Sequence, residues 1–270
     1  MIYFNAIVVI SYLLGFILCL IALIKNKEKL NNVSLYIIFL GYICHTIVLF
    51  FTIKNDAFLS KGQFYFGLAG WSLILLFLVM IVKIRIQFLS IIISPLALLF
   101  FIISFFITKK VLPVPKIMGS LWFGTHILCL FFAISLITIG FGASVFYLYI
   151  HKQIKNKTNQ KFLKESKGYS LELLDKINHY AVVIGFPLFT IGVLSGFIWA
   201  RFTWNKIFSF DIKEVWSIIV WILFAYLFHQ RVAIGWKGKK PAVLICWIFL
   251  LSLMSFVIIN SFFPTHHSFR

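Results

Sequence analysis

One short segment, residues 201–214, combines large aromatic side chains with acidic ones. It reads RFTWNKIFSFDIKE. With the tryptophans that flank it, its candidate binding residues are Trp199, Trp204, Phe208, Phe210, Asp211, Glu214 and Trp216. Aromatic faces pack on flat apolar molecules, and charged groups form strong hydrogen bonds at the edges of such molecules. The segment is therefore predicted to bind a flat, apolar ligand with a charged edge.

Four histidines are candidate metal ligands, because neutral imidazole is the commonest metal-binding side chain in proteins. They are His45, His126, His229 and His267. His266 is adjacent to His267, so spacing alone does not choose between these two. For a histidine inside an apolar segment, a simple hydrogen bond to a neighbouring helix is the alternative.

The elements that must position these residues are long apolar segments. The chain of 270 residues is 62% hydrophobic and 12% charged, whereas a soluble domain has about half its residues apolar and about a quarter charged. Eight segments are long enough to cross a bilayer, which takes about 20 residues. They are 3–24, 34–53, 65–82, 88–107, 121–150, 180–200, 215–233 and 241–262. We predict an all-α, polytopic membrane bundle of about eight helices, with 1–270 as one domain.

The chain has a net charge of +18. The positive residues are concentrated in alternate loops, as in membrane proteins, so we predict no nucleic-acid partner. Alternate loops on one side carry 16 of the 25 Lys and Arg residues, and this richer side is predicted to be cytoplasmic. Both termini and segment 201–214 are then outside. The Lys-rich stretch 151–179 is a solvated cytoplasmic face or a patch for acidic partners or lipid headgroups.

Topology brings two of the histidines to the side of the aromatic segment. His126 lies near the outer start of the fifth helix, and His267 follows the outward-running eighth helix, while His45 and His229 fall inside helices. Two imidazoles could take the axial positions of a haem iron, and the aromatics could pack on the porphyrin. Arg201, Lys206 and Lys213 could meet the propionates. A bare zinc site would not need the aromatics.

The segment resembles the Trp-rich signature of the haem-handling cytochrome c assembly proteins, which include CcsA, ResC, CcmC and HemX-type members. That signature reads approximately W-G-x-x-W-x-W-D-P-K-E-x-W. This chain reads W-N-K-I-F-S-F-D-I-K-E-V-W from Trp204 to Trp216, with Phe208 and Phe210 in place of two tryptophans. The flanks also look like the family, among them 185–200, 226–238 and the His-Ser-Phe ending at 267–269, which favours His267 over His266.

The resemblance implies a fuller set of roles. His126 and His267 would be axial ligands of non-covalent haem b at the external segment, and His45 and His229 would belong to an intramembrane haem site or relay. The protein would sit in the bacterial cytoplasmic (inner) membrane, work with a CcsB/ResB-type membrane partner, and present haem to apocytochrome c as part of a haem lyase complex.

Two alternatives differ from haem delivery. A HemX-type protein would instead regulate haem synthesis at the level of glutamyl-tRNA reductase. A transporter of an unrelated solute has little support, because no acidic residue lies deep within a predicted span and no broken-helix repeat is visible.

Overall fold

The computed structural model describes residues 2–25, 27–54, 59, 62–84, 87–106, 120–156, 170–206, 208 and 210–255, without the side chains of Lys83 and Trp204. Within these ranges the regular structure is helical. The α helices, in chain order, are α1 Ile2–Lys25, α2 Glu28–Ile53, α3 Gly62–Lys83, α4 Ser90–Phe106, α5 Leu121–Lys155, α6 Leu171–Trp204, α7 Ile212–Val232 and α8 Lys239–Met254. A 3-10 turn, Gln87–Leu89, precedes α4.

The helices confirm the predicted all-α, multi-pass membrane fold. Helices α1 to α7 are each long and apolar enough to cross a membrane. Helix α8 has 16 residues, and the rest of the predicted span 241–262 lies outside the described residues. The placement of both termini outside stays a prediction.

Capping side chains move two helix boundaries away from the predicted ones. Helix α6 begins at Leu171, well before the predicted 180, because Ser170 accepts a hydrogen bond from the Leu173 amide. Helix α7 begins at Ile212, where Asp211 caps it. The segment 201–214 was predicted as one continuous loop, and this was wrong: only Asn205 to Asp211 separates the two helices.

The chain divides into two compact units, one holding α1 to α4 and the other α5 to α8. In unit 1, Ser34 of α2 donates to the Gly15 carbonyl of α1 (2.7 Å), and Ser94 of α4 donates to the Tyr12 carbonyl (2.7 Å). These short bonds fix α1 against two neighbours. The prediction of a single domain over 1–270 stays a prediction.

In unit 2, α5 and α6 run antiparallel and pack through glycines. A Cβ on Gly140 of α5 would stand 2.9 Å from Ala181, and one on Gly192 of α6 would stand 2.8 Å from Leu130. Small residues of this kind let membrane helices approach closely. We call the end of unit 2 that carries Asn205 to Asp211 the loop end. The opposite end, where Asp175 pairs with Arg231, is the clamp end.

Candidate haem site at the loop end

His126 lies in the second turn of α5, and a backbone carbonyl of α6 fixes its ring. Its Nδ1 is 2.7 Å from the Gly192 oxygen. A carbonyl oxygen can only accept, so Nδ1 carries the proton and donates it. In the neutral ring the other nitrogen, Nε2, is then unprotonated, which is the form that binds a metal. Metal-ligating histidines almost always have such a partner on the second nitrogen.

One glycine of α6, Gly196, makes room for this ring. A Cβ on Gly196 would stand 2.5 Å from His126 Nδ1, closer than any Cβ contact allows. Gly192, one turn earlier, supplies the accepting carbonyl. The ring thus lies against bare backbone at Gly196, and its orientation depends on the absence of a side chain there, whereas a Cβ on Gly192 would meet Leu130.

Aromatic side chains lead from α6 to the surface of the loop end. The Phe208 ring stands edge-on to Phe197 of α6, with centroids 6.0 Å apart, and edge-on to Phe210 at 4.7 Å. Phe210 is 81% exposed. Its φ of 57° is a left-handed conformation that costs a bulky residue free energy. Strained backbone of this kind is often found at binding sites, and a contact of Phe210 with a ligand stays a prediction.

The predicted acidic residues have structural partners at the start of α7. Asp211 Oδ1 accepts from the Lys213 amide (3.1 Å) and so caps the helix. Glu214 lies in the first turn and is buried. Both positions suit negative charge, because a helix N-terminus carries partial positive charge.

The flanking tryptophans are packed between helices. Trp199 is 3% exposed, with its ring 5.0 Å from Phe123 of α5. Trp216 donates from Nε1 to the Leu251 carbonyl of α8 (2.9 Å). In this structure both side chains hold helices together, and a direct contact with ligand stays a prediction for each.

The other predicted site residues lie elsewhere or outside the described residues. His267, like His266, and the Trp204 side chain are outside them. His229 is exposed in the last turn of α7, at the clamp end. His45 is buried in unit 1. Of the three predicted histidine ligands that the structure describes, His126 is the one at the loop end of unit 2.

Sequence reasoning missed a polar network at the clamp end. Arg231 Nη1 donates to both carboxylate oxygens of Asp175 (3.1 and 3.0 Å) and to the Trp236 carbonyl (2.9 Å). Nη2 donates to the Asp175 carbonyl (2.7 Å) and to Asn178 Oδ1 (2.8 Å). Asn178 in turn donates to Ser144 of α5 (2.7 Å), and the Gly238 amide donates to Asp175 (2.7 Å). The available signal was the placement of Asp175 and Arg231 at the same end of two apolar helices.

The metal-binding side chains at the loop end suit a metal whose other ligands come from a cofactor. Within the described residues, no group of three His, Cys, Asp or Glu side chains could hold a bare ion. Haem iron already has four porphyrin nitrogens and takes only axial ligands from the protein. One prepared imidazole at the loop end, which also carries Phe208 and the exposed Phe210 ring, fits that requirement.

Comparison with known proteins points to one family. The model of the cytochrome c assembly protein family matches residues 59–267. The chain is 27% identical to the cytochrome c biogenesis protein CcsA of Guillardia theta, over 96% of this chain and 91% of that protein. It is 28% identical to CcsA of Chlorella vulgaris, over 74% of this chain and 73% of that protein.

A solved structure shares the fold. A cytochrome c haem lyase, CcmF, superposes with a TM-score of 0.67 over 93% of this chain at 13% sequence identity. The match covers 45% of that longer protein. At this identity the similarity shows a common helical architecture.

Proposed function

The chain belongs to the cytochrome c assembly protein family, and from that premise we propose that it binds haem b non-covalently at the loop end and presents it to apocytochrome c. The observation that carries the proposal is the bond from His126 Nδ1–H to the Gly192 carbonyl. It leaves Nε2 ready to coordinate iron at the end of the protein where the aromatic loop lies.

Different residues of the loop end would contact different parts of bound haem. His126 would coordinate the haem iron through Nε2, and His267, by family resemblance, would be the second protein ligand. Phe208 and Phe210 offer apolar faces to the porphyrin, but they lack the indole N–H of the tryptophans in the family signature. Bound haem would supply the vinyl groups to which the thiols of an apocytochrome C-x-x-C-H motif add.

Cations near the loop suit the propionates of haem. Arg201 and Lys206 are both exposed beside the loop. Arg201 already donates to the Asn205 carbonyl, which fixes its guanidinium at the end of α6. Guanidinium groups bind carboxylates with two parallel hydrogen bonds, so Arg201 is the better-prepared partner.

The proposed setting is the bacterial cytoplasmic (inner) membrane, with the loop end on the outer side. The support is the excess of Lys and Arg in the loops of the opposite side. A CcsB/ResB-type membrane protein is the proposed partner, and the two together would form the lyase that attaches haem. The relatives reported above carry names from cytochrome c biogenesis, so the HemX-type regulatory alternative is not favoured.

The optical spectrum of the protein purified in detergent tests haem binding. Wild type is expected to show a bis-histidine haem spectrum, and a His126→Ala/His267→Ala variant is expected to lose the haem of the loop end. His151→Ala is the matched control, because that histidine stacks on Tyr147 at the clamp end of α5. A wild type without haem, or a double variant with an unchanged spectrum, would refute the proposal.

Gene deletion separates delivery from regulation. Loss of c-type cytochromes with a normal level of glutamyl-tRNA reductase is expected. Normal c-type cytochromes with an altered reductase level would select the HemX-type function instead.

A further inference from the structure

The turn between α7 and α8, at the clamp end, is held in place by hydrogen bonds of its backbone. The Trp236 amide donates to the Gln230 carbonyl (2.9 Å). The Trp236 carbonyl accepts from Arg231 (2.9 Å), and the Gly238 amide donates to Asp175 (2.7 Å). The clamp network therefore fixes the path of this turn, and the side chains that leave it start from defined positions.

The side chains of the turn combine cations with aromatic rings. Lys237, Lys239 and Lys240 are exposed. Lys240 Nζ lies over the Trp236 ring, 5.1 Å from its centroid, and Tyr226 meets the same ring edge-on at 5.9 Å. Tryptophan and tyrosine are enriched where a membrane meets water, because each has an apolar ring and one polar atom. This composition is typical of a membrane interface.

Apolar side chains beside the lysines set the depth of this surface. Val232 is 53% exposed at the end of α7, and Ile234 is 60% exposed in the turn. Both lie at the end of a helix that is long and apolar enough to cross a membrane. Lysines next to such residues lay their aliphatic chains along the apolar surface, while the ammonium groups reach the polar layer. In a membrane, the surface therefore lies at the depth of the lipid headgroups.

The exposed charges around the turn are mainly positive. Among the described residues of the clamp end, the exposed acidic residue is Glu172, and the Asp175 carboxylate is already paired within the clamp network. Three further lysines are exposed on α5 and α6, namely Lys152, Lys155 and Lys176. An excess of cations at the depth of the headgroups attracts anionic lipids in preference to zwitterionic ones.

We propose that Trp236, Lys237, Lys239 and Lys240 form a binding site for the headgroup of an anionic phospholipid, on the side of the membrane predicted to be cytoplasmic. The lipid phosphate lies among the ammonium groups, and the acyl chains lie against the exposed apolar side chains of the turn. Free phosphate has no apolar part to place there, and a soluble acidic protein stays outside the headgroup layer. The inference does not depend on haem.

Bound lipid should stabilise unit 2, because the backbone of the turn belongs to the clamp network. The protein in detergent is titrated with short-chain phosphatidylglycerol, and its unfolding temperature is measured at each concentration. We expect the unfolding temperature to rise with phosphatidylglycerol and to stay constant with phosphatidylcholine of the same chain length. Equal responses to the two lipids would overturn the proposal.

A triple variant, Lys237→Gln/Lys239→Gln/Lys240→Gln, tests the residues of the site. It should need more than 10-fold more phosphatidylglycerol for the same rise, since each basic residue near an anionic lipid surface contributes about 5-fold in affinity. Without lipid it should unfold at the wild-type temperature, because the three side chains are exposed. A wild-type titration in this variant would overturn the site.

A second triple variant, Lys25→Gln/Lys27→Gln/Lys29→Gln, is the matched control. It removes the same charge from exposed lysines on the same predicted side of the membrane, in unit 1, and its titration should match wild type. Equal weakening in both triple variants would show a general attraction of lysines to anionic lipid and would overturn a site at the turn.

Two further probes separate a lipid from other anions. Inorganic phosphate and polyglutamate should leave the unfolding temperature of wild type unchanged. A rise with phosphate as large as that with phosphatidylglycerol would assign the surface to a free phosphate, and an equal rise with polyglutamate would assign it to an acidic protein. Either result would overturn the lipid site. Failure of the proposed function is read separately, from the haem spectrum.

Discussion

The two ends of unit 2 treat their polar groups in opposite ways. At the clamp end, the side chains of Arg231 and Asp175 are 1% and 17% exposed and bond mainly to each other and to nearby backbone. At the loop end, His126 Nδ1 donates one hydrogen bond and leaves Nε2 for a ligand, and the exposed Phe210 ring lies on strained backbone. Arg231 Nε is buried without a hydrogen-bond partner, but the other polar atoms of this network are paired, and paired groups stabilise a fold. The Nε2 of His126 and the Phe210 ring are instead available to a ligand. Stability is therefore concentrated at one end and the groups proposed to bind haem at the other.

The largest expected effect on stability is at the clamp end. Arg231→Met leaves the mostly buried Asp175 carboxylate without its charged partner and with the Gly238 amide as its remaining donor, which should lower the free energy of unfolding by about 3–5 kcal/mol. Thermal unfolding of the haem-free protein in detergent measures the loss. Haem bound per folded molecule should stay at the wild-type level, because His126 is at the opposite end of α5.

Two companion variants sharpen this test. Asp175→Asn combined with Arg231→Met removes both charges and should recover part of the lost stability. Arg201→Met at the exposed end of α6 should cost only about 0–1 kcal/mol. An Arg231→Met protein as stable as wild type, or one that loses haem while folded, would break the division between the two ends.

The next largest effect is expected at Gly196, where a substitution should lower both the stability of the fold and the affinity for haem. In Gly196→Ala, the new methyl group would overlap His126 Nδ1 and push the ring away from the Gly192 carbonyl. Overpacking of this kind costs about 1–3 kcal/mol, and haem affinity at the loop end should fall about 10-fold or more. Haem titration followed by absorbance measures it.

Gly124→Ala is a matched control on α5, because a Cβ there meets nothing within 4 Å. It should leave haem affinity unchanged and leave the fold as stable as before or slightly more so. Wild-type haem affinity in Gly196→Ala would show that the glycine does not position His126.

These contrasts also mark what the sequence could predict. Apolar runs of about 20 residues locate the spans directly, and counting the spans brought His126 to the end that carries the aromatic loop. The hydrogen bond that orients His126 could not be predicted from the sequence, because His126 and Gly192 are 66 positions apart. Arg231 and Asp175 are likewise 56 positions apart. Which residues meet depends on how α5, α6 and α7 pack, and a single sequence does not specify those contacts.

A smaller effect separates two roles of Asp211. As an N-cap, its oxygen bonds to the Lys213 amide, and Asp211→Ala should cost about 1 kcal/mol of stability. Asp211→Asn keeps a capping oxygen, so its stability and haem content should both match wild type. If Asp211→Asn keeps stability but loses haem, the negative charge acts on the ligand site and not only on the helix.

The smallest effect on stability is expected at Phe210, and it is the most direct test of the loop end. Glycine adopts a positive φ without strain, so Phe210→Gly should relieve roughly 1 kcal/mol of strain. The greater chain entropy of glycine in the unfolded state offsets most of that gain. The ring is 81% exposed, so little packing is lost, and the unfolding midpoint should hardly change. Haem should nevertheless dissociate faster, as measured by transfer to excess apomyoglobin, and Phe210→Trp should slow dissociation by adding aromatic area. Dissociation unchanged in both variants would mean that the exposed ring does not contact haem, and the strain at Phe210 would then need another cause.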